Sequence, residues 1–184
     1  MAKLLAVYNA YRAVVAASLL ALGLLDLSGI STIPGYNTDL LWLSGLWSLS
    51  ILLLFTQNRR LASWPELGPL AVTLFDLVMI AFLVGFGDEL GAGLPLLYLP
   101  TVAASAVLIP NRVTATAVAA LATLAVLSDS AYQLQQHAID ASDMLSAGLL
   151  GLLIFLISLL LQLIVARMAN IEQLVDTATT PAAT

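Results

Sequence analysis

Asp76 is the residue best placed to carry chemistry, because it is a carboxylate near the middle of the apolar segment 72–79. A charge at the centre of a lipid bilayer costs at least about 2.5–3.5 kcal/mol on insertion scales. If this segment crosses a membrane, Asp76 must face the protein interior, be protonated or pair with another polar group. The candidate partners are Arg12, Tyr8, Asn9, Tyr11 and Gln162.

Three roles for Asp76 follow from its position. It is a structural clasp that fixes helix register, a signalling or proton-sensitive switch inside the bundle, or part of an ion pathway. The ion pathway is the weakest of the three, because a single intramembrane carboxylate and no evident inverted repeat give little support to a transporter.

The sequence offers few residues for a metal, cofactor, phosphate or nucleic-acid site. The chain has no cysteine and one histidine, His137, so it cannot build a three-ligand site from these residues, and we predict no metal and no cofactor. The glycine-rich segment 85–93 lacks the GKS or GKT of a phosphate-binding loop. With a net charge of −5, no nucleic-acid partner is expected.

The composition is that of an integral membrane protein. Hydrophobic residues make up 61% of the 184 residues and charged residues 9%, whereas soluble domains carry about 25% charged residues. A helix needs about 17–25 residues to cross the hydrocarbon. Six crossings with short loops would occupy nearly the whole chain, which predicts an all-α bundle of six transmembrane helices without a separate soluble domain.

The apolar segments support six spans. They fall at residues 13–27, 40–55, 67–86, 94–109, 113–128 and 144–166. The short first and fifth segments require their flanks, residues 4–11 and 129–136, to extend the helices. Pro110-Asn111-Arg112 separates spans four and five, and proline cannot continue a helix, so a tight turn is predicted there.

Charge segregation sets the predicted orientation. The basic residues fall at one side of a six-span topology: Lys3, Arg12, Arg59, Arg60, Arg112 and Arg167. The opposite side carries only acidic residues: Asp26, Asp39, Asp88, Glu89, Asp129, Asp140 and Asp143. Because cytoplasmic loops are enriched in Lys and Arg, both termini are predicted to be cytoplasmic.

Small residues predict which helices pack closely. Ala115, Ala119 and Thr123 repeat every four residues and form one smooth face of span five. We therefore expect spans four and five to be central. Span six is rich in Leu, Ile and Phe and is expected to face lipid over much of its surface.

The end of span six suggests an output helix. Ile164, Met168, Ile171 and Val175 are spaced four, three and four residues apart, which is either a short coiled-coil seam or an amphipathic helix end. We divide the chain into a transmembrane domain, 1–167, and a cytoplasmic helix start with a flexible tail, 168–184, that frays from about residue 176.

Four features give the chain a family resemblance. They are the Tyr-x-x-Tyr-Arg start in residues 4–12, the mid-span aspartate in 73–79, the glycine-rich segment 85–93 and a short basic turn before the Ala-rich span five. In these features residues 4–175 resemble the N-terminal membrane domain of the sensor histidine kinases that control type IV pilus genes.

The resemblance implies a function as well as a fold. It places Tyr8, Tyr11, Arg12 and Asp76 in the polar interior of a sensory input module in the bacterial inner membrane. It also implies a membrane partner such as pilin, surrounding lipid, and a homodimer or a larger membrane complex. The kinases continue into cytoplasmic catalytic domains that this sequence does not contain. We therefore expect no enzymatic activity from the chain, as a kinase fragment or as a free-standing membrane subunit or scaffold.

The orientation is tested with alkaline phosphatase fusions, which are active only outside the cytoplasm. A fusion after Glu89 should be active, and a matched fusion after Arg60 should be inactive, because the two positions flank span three. Activity that is high after Arg60 and absent after Glu89 would reverse the predicted orientation.

Overall fold

The computed structural model describes residues 2–28, 38–61, 67–87, 93–135 and 141–179. These residues form six α-helices and a short 3-10 helix, Leu94–Leu97. The α-helices are α1 (Ala2–Leu27), α2 (Thr38–Leu61), α3 (Leu67–Phe86), α4 (Tyr98–Leu108), α5 (Arg112–Gln135) and α6 (Ala141–Thr179). This confirms the predicted all-α, six-helix fold.

Four of the helices are long and apolar enough to cross a membrane. Their apolar stretches are Leu4–Leu27, Leu67–Phe86, Arg112–Gln135 and Met144–Met168. The second and fourth spans are shorter apolar helices over the described residues, Thr38–Leu53 and Leu94–Leu108. The fourth span is short because its chain leaves the helical conformation at Ile109, just before Pro110.

The position of Arg12 corrects one expectation. Arg12 was assigned to a membrane boundary, but α1 already begins at Ala2. Arg12 therefore lies about 15 Å along the helix from its start, and its side chain is buried. The chain has six basic residues, and the predicted charge segregation then depends on the five other than Arg12.

The bundle is organised around α3 and α4. Helix α3 packs against α2, α4 and α5, and α4 packs against α1, α3, α5 and α6. Helices α1 and α2 pair on one side, while α5 and α6 pair on the other. As expected, α4 lies between neighbours, but the most extensive contact of α5 is with α6 rather than with α4.

The turn between α4 and α5 follows from three residues. Ile109 has an extended backbone, with φ −90° and ψ 116°, and Pro110 follows it. The Asn111 side-chain oxygen accepts a hydrogen bond from the backbone N–H of Val113 at 3.0 Å. Asn111 thus caps α5, because it satisfies one of the N–H groups that the first turn leaves unpaired.

The interface between α5 and α6 depends on small residues. Ala115, Ala119 and Ala122 are fully buried. Thr123 donates its hydroxyl to the carbonyl of Ala119 at 3.0 Å and lies 3.2 Å from the carbonyl of Gly151 on α6. A Cβ atom at Gly151 would lie 2.8 Å from the Thr123 Cγ2 atom. Only glycine allows the two helices to approach this closely.

Helix α6 is exposed along much of its length. Large apolar side chains are exposed from Met144 to Ile171, as expected for a helix that faces lipid. Its 39 residues extend about 58 Å, which exceeds the roughly 30 Å of hydrocarbon. The helix continues without interruption to Thr179 and includes the first residues of the segment from 176 that was expected to fray.

Substitution of Gly151 by Ala should destabilise the bundle. The added methyl group meets the β-branched Thr123, and overpacking of this kind costs about 1–3 kcal/mol. Gly148→Ala is the matched control, because no atom of the described residues lies within 4 Å of a Cβ at that position. The free energy of unfolding is measured in mixed micelles.

The control variant should be neutral or more stable by up to about 1 kcal/mol, since Ala favours helix over Gly. Adding Thr123→Ser, which removes the Cγ2 atom, should restore part of the loss in Gly151→Ala. Equal stability of the Gly148 and Gly151 variants would contradict the close approach.

Candidate functional site

A buried ion pair joins α1 to α3. Arg12 is 1% exposed and Asp76 is fully buried, and the Arg12 Nη2 atom lies 2.6 Å from Asp76 Oδ1. Arg12 and Asp76 lie at similar distances, about 15 and 14 Å, from the starts of two helices that are predicted to run in the same direction. The two charges therefore meet at one depth in the bundle.

Two further side chains donate to the same carboxylate. The Tyr8 hydroxyl donates to Asp76 Oδ2 at 2.6 Å, and the Trp47 indole N–H donates to Oδ1 at 3.1 Å. Tyr8 lies one helical turn before Arg12, so both face α3. Because Trp47 belongs to α2, Asp76 connects three helices.

Arg12 has fewer aligned contacts than Asp76. Its Nη1 atom donates to Asn9 Oδ1 at 3.1 Å, and its guanidinium carbon lies 5.7 Å from the centre of the Tyr8 ring. The Nη2 atom lies against Asp76 Oδ1, and the buried Nε atom makes no hydrogen bond with the described residues. The guanidinium is therefore less well satisfied than the carboxylate.

The surroundings of this Arg12–Asp76 cluster (Tyr8, Asn9, Arg12, Trp47 and Asp76) are largely apolar. Val72 and Leu108 pack against Tyr8, with Tyr11 partly buried at the edge. On α4, Thr101 lies beside the Tyr8 hydroxyl and donates its own hydroxyl to the Leu97 carbonyl at 3.1 Å. Four helices thus surround the buried charges.

This arrangement favours a conformational role. The two ions of a pair in an apolar interior attract each other strongly, but burying each of them also costs several kcal/mol of desolvation free energy. Any rearrangement that separates Arg12 from Asp76 changes a large energy and requires new partners. The cluster can therefore distinguish two helix arrangements, provided that each offers the charges a set of contacts.

The structure brings together most of the residues singled out in the sequence. Tyr8, Asn9, Arg12 and Asp76 form the centre, and Tyr11 lies at the edge. Gln162 is placed elsewhere, which corrects its proposal as a partner of Asp76. Its amide nitrogen lies 3.1 Å from the Ser158 hydroxyl and 3.3 Å from that of Thr116, so it connects α5 and α6.

Trp47 is the residue that sequence reasoning missed. Tryptophan near the end of an apolar segment is typical of an interfacial aromatic belt. In the structure Trp47 is 2% exposed, and its N–H needs an acceptor in the interior. Its place three residues from the small Ser44, on the same buried face of α2, was the available signal.

The predicted output residues lie far from this cluster. Ile164, Met168 and Ile171 are exposed on α6, and the side chain of Val175 lies outside the described residues. Residues 88–92 of the glycine-rich segment and His137 also lie outside the described ranges.

Residues 1–175 match a six-helix membrane family, the PilS-like transmembrane domain. No curated protein and no solved structure matches the chain. The match covers the whole Arg12–Asp76 cluster and most of α6.

Removal of one charge from the cluster should be costly. Asp76→Asn leaves Arg12 buried without its counter-charge and should lower the free energy of unfolding by about 3–5 kcal/mol. Replacement of both partners, Arg12→Met with Asp76→Leu, should recover only part of this loss. It removes the unpaired buried charge, but it leaves the Tyr8 and Trp47 donors without their acceptor. Stability is measured by denaturant titration in micelles.

The matched control is Asp39→Asn, which removes an exposed carboxylate from the first turn of α2. Its expected cost is below about 1 kcal/mol, the usual size of a helix-dipole interaction. If Asp76→Asn lowered the free energy of unfolding no more than this control, the ion pair would not stabilise the fold.

Proposed function

This chain belongs to the PilS-like transmembrane domain family, and from this membership we propose that it is the membrane-embedded sensory module of a signalling protein. The module detects a membrane partner, for which the family resemblance suggests pilin, in the bacterial inner membrane. Its termini are cytoplasmic, and the histidine kinase activity of the resembled family belongs to cytoplasmic parts outside the transmembrane domain.

The observation that carries this proposal is the buried Arg12–Asp76 pair. The Asp76 carboxylate also accepts from Tyr8 and Trp47, so the pair connects α1 and α2 to α3. A shift of α1 against α3 must therefore either keep the two ions together or give each of them new partners. The cluster can in this way distinguish two helix arrangements.

Helix α4 offers a route from this cluster to α6. It packs against α1 on one side and α6 on the other. Thr101 lies beside Tyr8, and Val102, the next residue on α4, shares the buried core with Ile154 of α6. A shift of α1 that displaces Tyr8 would therefore move α4 and, through it, α6.

Helix α6 would deliver the change to the cytoplasmic side. It is continuous from Ala141 to Thr179, so a displacement within the bundle extends to residues beyond the hydrocarbon. Ile164, Met168 and Ile171 present an apolar stripe on its surface. In a homodimer this stripe and Val175 would form the seam between two copies of α6.

The proposal is tested in a chimaera that joins residues 1–175 to the cytoplasmic part of a histidine kinase. Autophosphorylation is measured in nanodiscs with and without purified pilin. In the parent chimaera, pilin should change the rate several-fold. In the Arg12→Met, Asp76→Leu double variant the protein should fold but lose this response, because no charge pair remains to choose between two arrangements.

Two comparisons decide between a switch and a clasp. Asp39→Asn should respond to pilin as the parent does, because its carboxylate is exposed and distant from the cluster. A full pilin response in the double variant would identify the pair as a clasp. No response in the parent, with the chain co-purifying in a stoichiometric membrane complex, would favour a scaffold subunit instead.

A further inference from the structure

A second polar site lies at the end of the bundle opposite the predicted cytoplasmic side. A cavity of about 230 Å³ opens between α3, α4 and α5. Its lining consists of Ala81, Val84, Tyr98, Ala125, Ser128, Asp129 and Tyr132. Asp129 lies about 25 Å along α5 from Arg112, so the cavity is at the far end of the helix from that basic residue.

The cavity combines one carboxylate with aromatic and small apolar side chains. Tyr98 is 1% exposed, and its hydroxyl and the Asp129 carboxylate are electrostatic neighbours. Ala81, Ser128 and Tyr132 are exposed, so the cavity is open on one side. A ligand can therefore enter the cavity from outside, and the end of the ligand that enters first would contact Tyr98 and Val84.

The charge of Asp129 is not neutralised within the described residues. Gln133, one turn along α5, donates its amide to Asp129 Oδ2 at 2.8 Å, but Asp129 forms no salt bridge within the ranges that the structure describes. Among the residues that the structure describes, no basic side chain lines the cavity. A half-buried carboxylate with only neutral partners gains by binding a cation.

The wider electrostatics also favour a cation. In the predicted topology, the side of the membrane on which Asp129 lies carries further acidic residues and no Lys or Arg. A positively charged ligand would thus be attracted towards this end of the bundle.

We propose that the Tyr98–Asp129 cavity binds a protonated amine, either of a small molecule or of a partner protein. A hard metal cation would need several oxygen ligands, and Asp129 is the single carboxylate among the described residues that line the cavity. The alanine and valine walls instead fit the carbon chain of an organic amine. The Tyr98 and Tyr132 rings fit its ammonium group, which aromatic faces attract. This binding site is separate from the Arg12–Asp76 cluster.

The test measures amine binding by isothermal titration calorimetry on the chain in phosphatidylcholine nanodiscs. Propylammonium chloride should bind, whereas propanol and sodium chloride at equal concentration should not. Asp129→Asn should weaken propylammonium binding at least about tenfold, because it removes the charge-assisted hydrogen bonds. Asp39→Asn, which removes an exposed carboxylate predicted to lie on the same side, should bind within about twofold of the parent.

A second variant guards against misfolding of Asp129→Asn. Ala81→Phe starts from an exposed residue of the cavity wall, so it should fill the cavity without disturbing the core and abolish binding. Peptide helices then identify the source of the amine. Tight binding of a membrane-spanning peptide with one lysine near its end, but not of its norleucine counterpart, indicates a partner protein. Binding of the free amine alone indicates a small molecule.

Two results would overturn the proposal. One is propylammonium binding no tighter than propanol in the parent chain, and the other is unchanged propylammonium binding in both Asp129→Asn and Ala81→Phe. Neither result bears on the pilin response of the kinase chimaera, which depends on the Arg12–Asp76 cluster.

Discussion

The burial of both Arg12 and Asp76 makes their ion pair the interaction on which the rest of the interior depends. Neither ion can remain alone in this environment, so α1 and α3 must stay in contact at this depth. Tyr8 and Trp47 then have an acceptor for their polar hydrogens, and each has an otherwise apolar body that packs in the core. The positions of α2 and α4 follow from these contacts. Trp47 of α2 donates to the Asp76 carboxylate, and Thr101 of α4 lies beside the Tyr8 hydroxyl.

The other half of the bundle is held together differently. Between α5 and α6 the described polar contacts are those of Thr123 with the Gly151 carbonyl and of Thr116 with Gln162, and Gly151 lets the two helices approach closely. Close packing of small residues allows small changes of angle at low cost, whereas a buried ion pair tolerates little separation. The bundle thus combines one half that is fixed by the ion pair with another half, α5 and α6, in which the helix angle can change. Helix α4 contacts both halves.

Much of this architecture could be read from the sequence, and the failures have physical causes. Six helices follow from length and apolar patterning, and Asp76 stands out because a carboxylate in an apolar span must be compensated. The Ala115–Ala119–Thr123 spacing correctly indicated a close helix contact, but spacing on one helix does not identify its partner, which is mainly α6. Arg12 was placed at a boundary because its burial depends on a counter-charge 64 residues away. Gln162 was misassigned and Trp47 overlooked for a similar reason, since the face on which a polar side chain lies depends on tertiary contacts.

The two polar contacts between α5 and α6 limit how α6 can move. Thr123 meets the Gly151 carbonyl towards one end of the interface, and Thr116 meets Gln162 towards the other. Sliding α6 along its axis would break both contacts at once, whereas tilting it about a pivot between them preserves most of their geometry. Since α6 extends about 26 Å beyond Gln162 to Thr179 but only about 17 Å separates Gly151 from Gln162, such a tilt acts as a lever. Its far end would travel farther than any part of the helix inside the bundle.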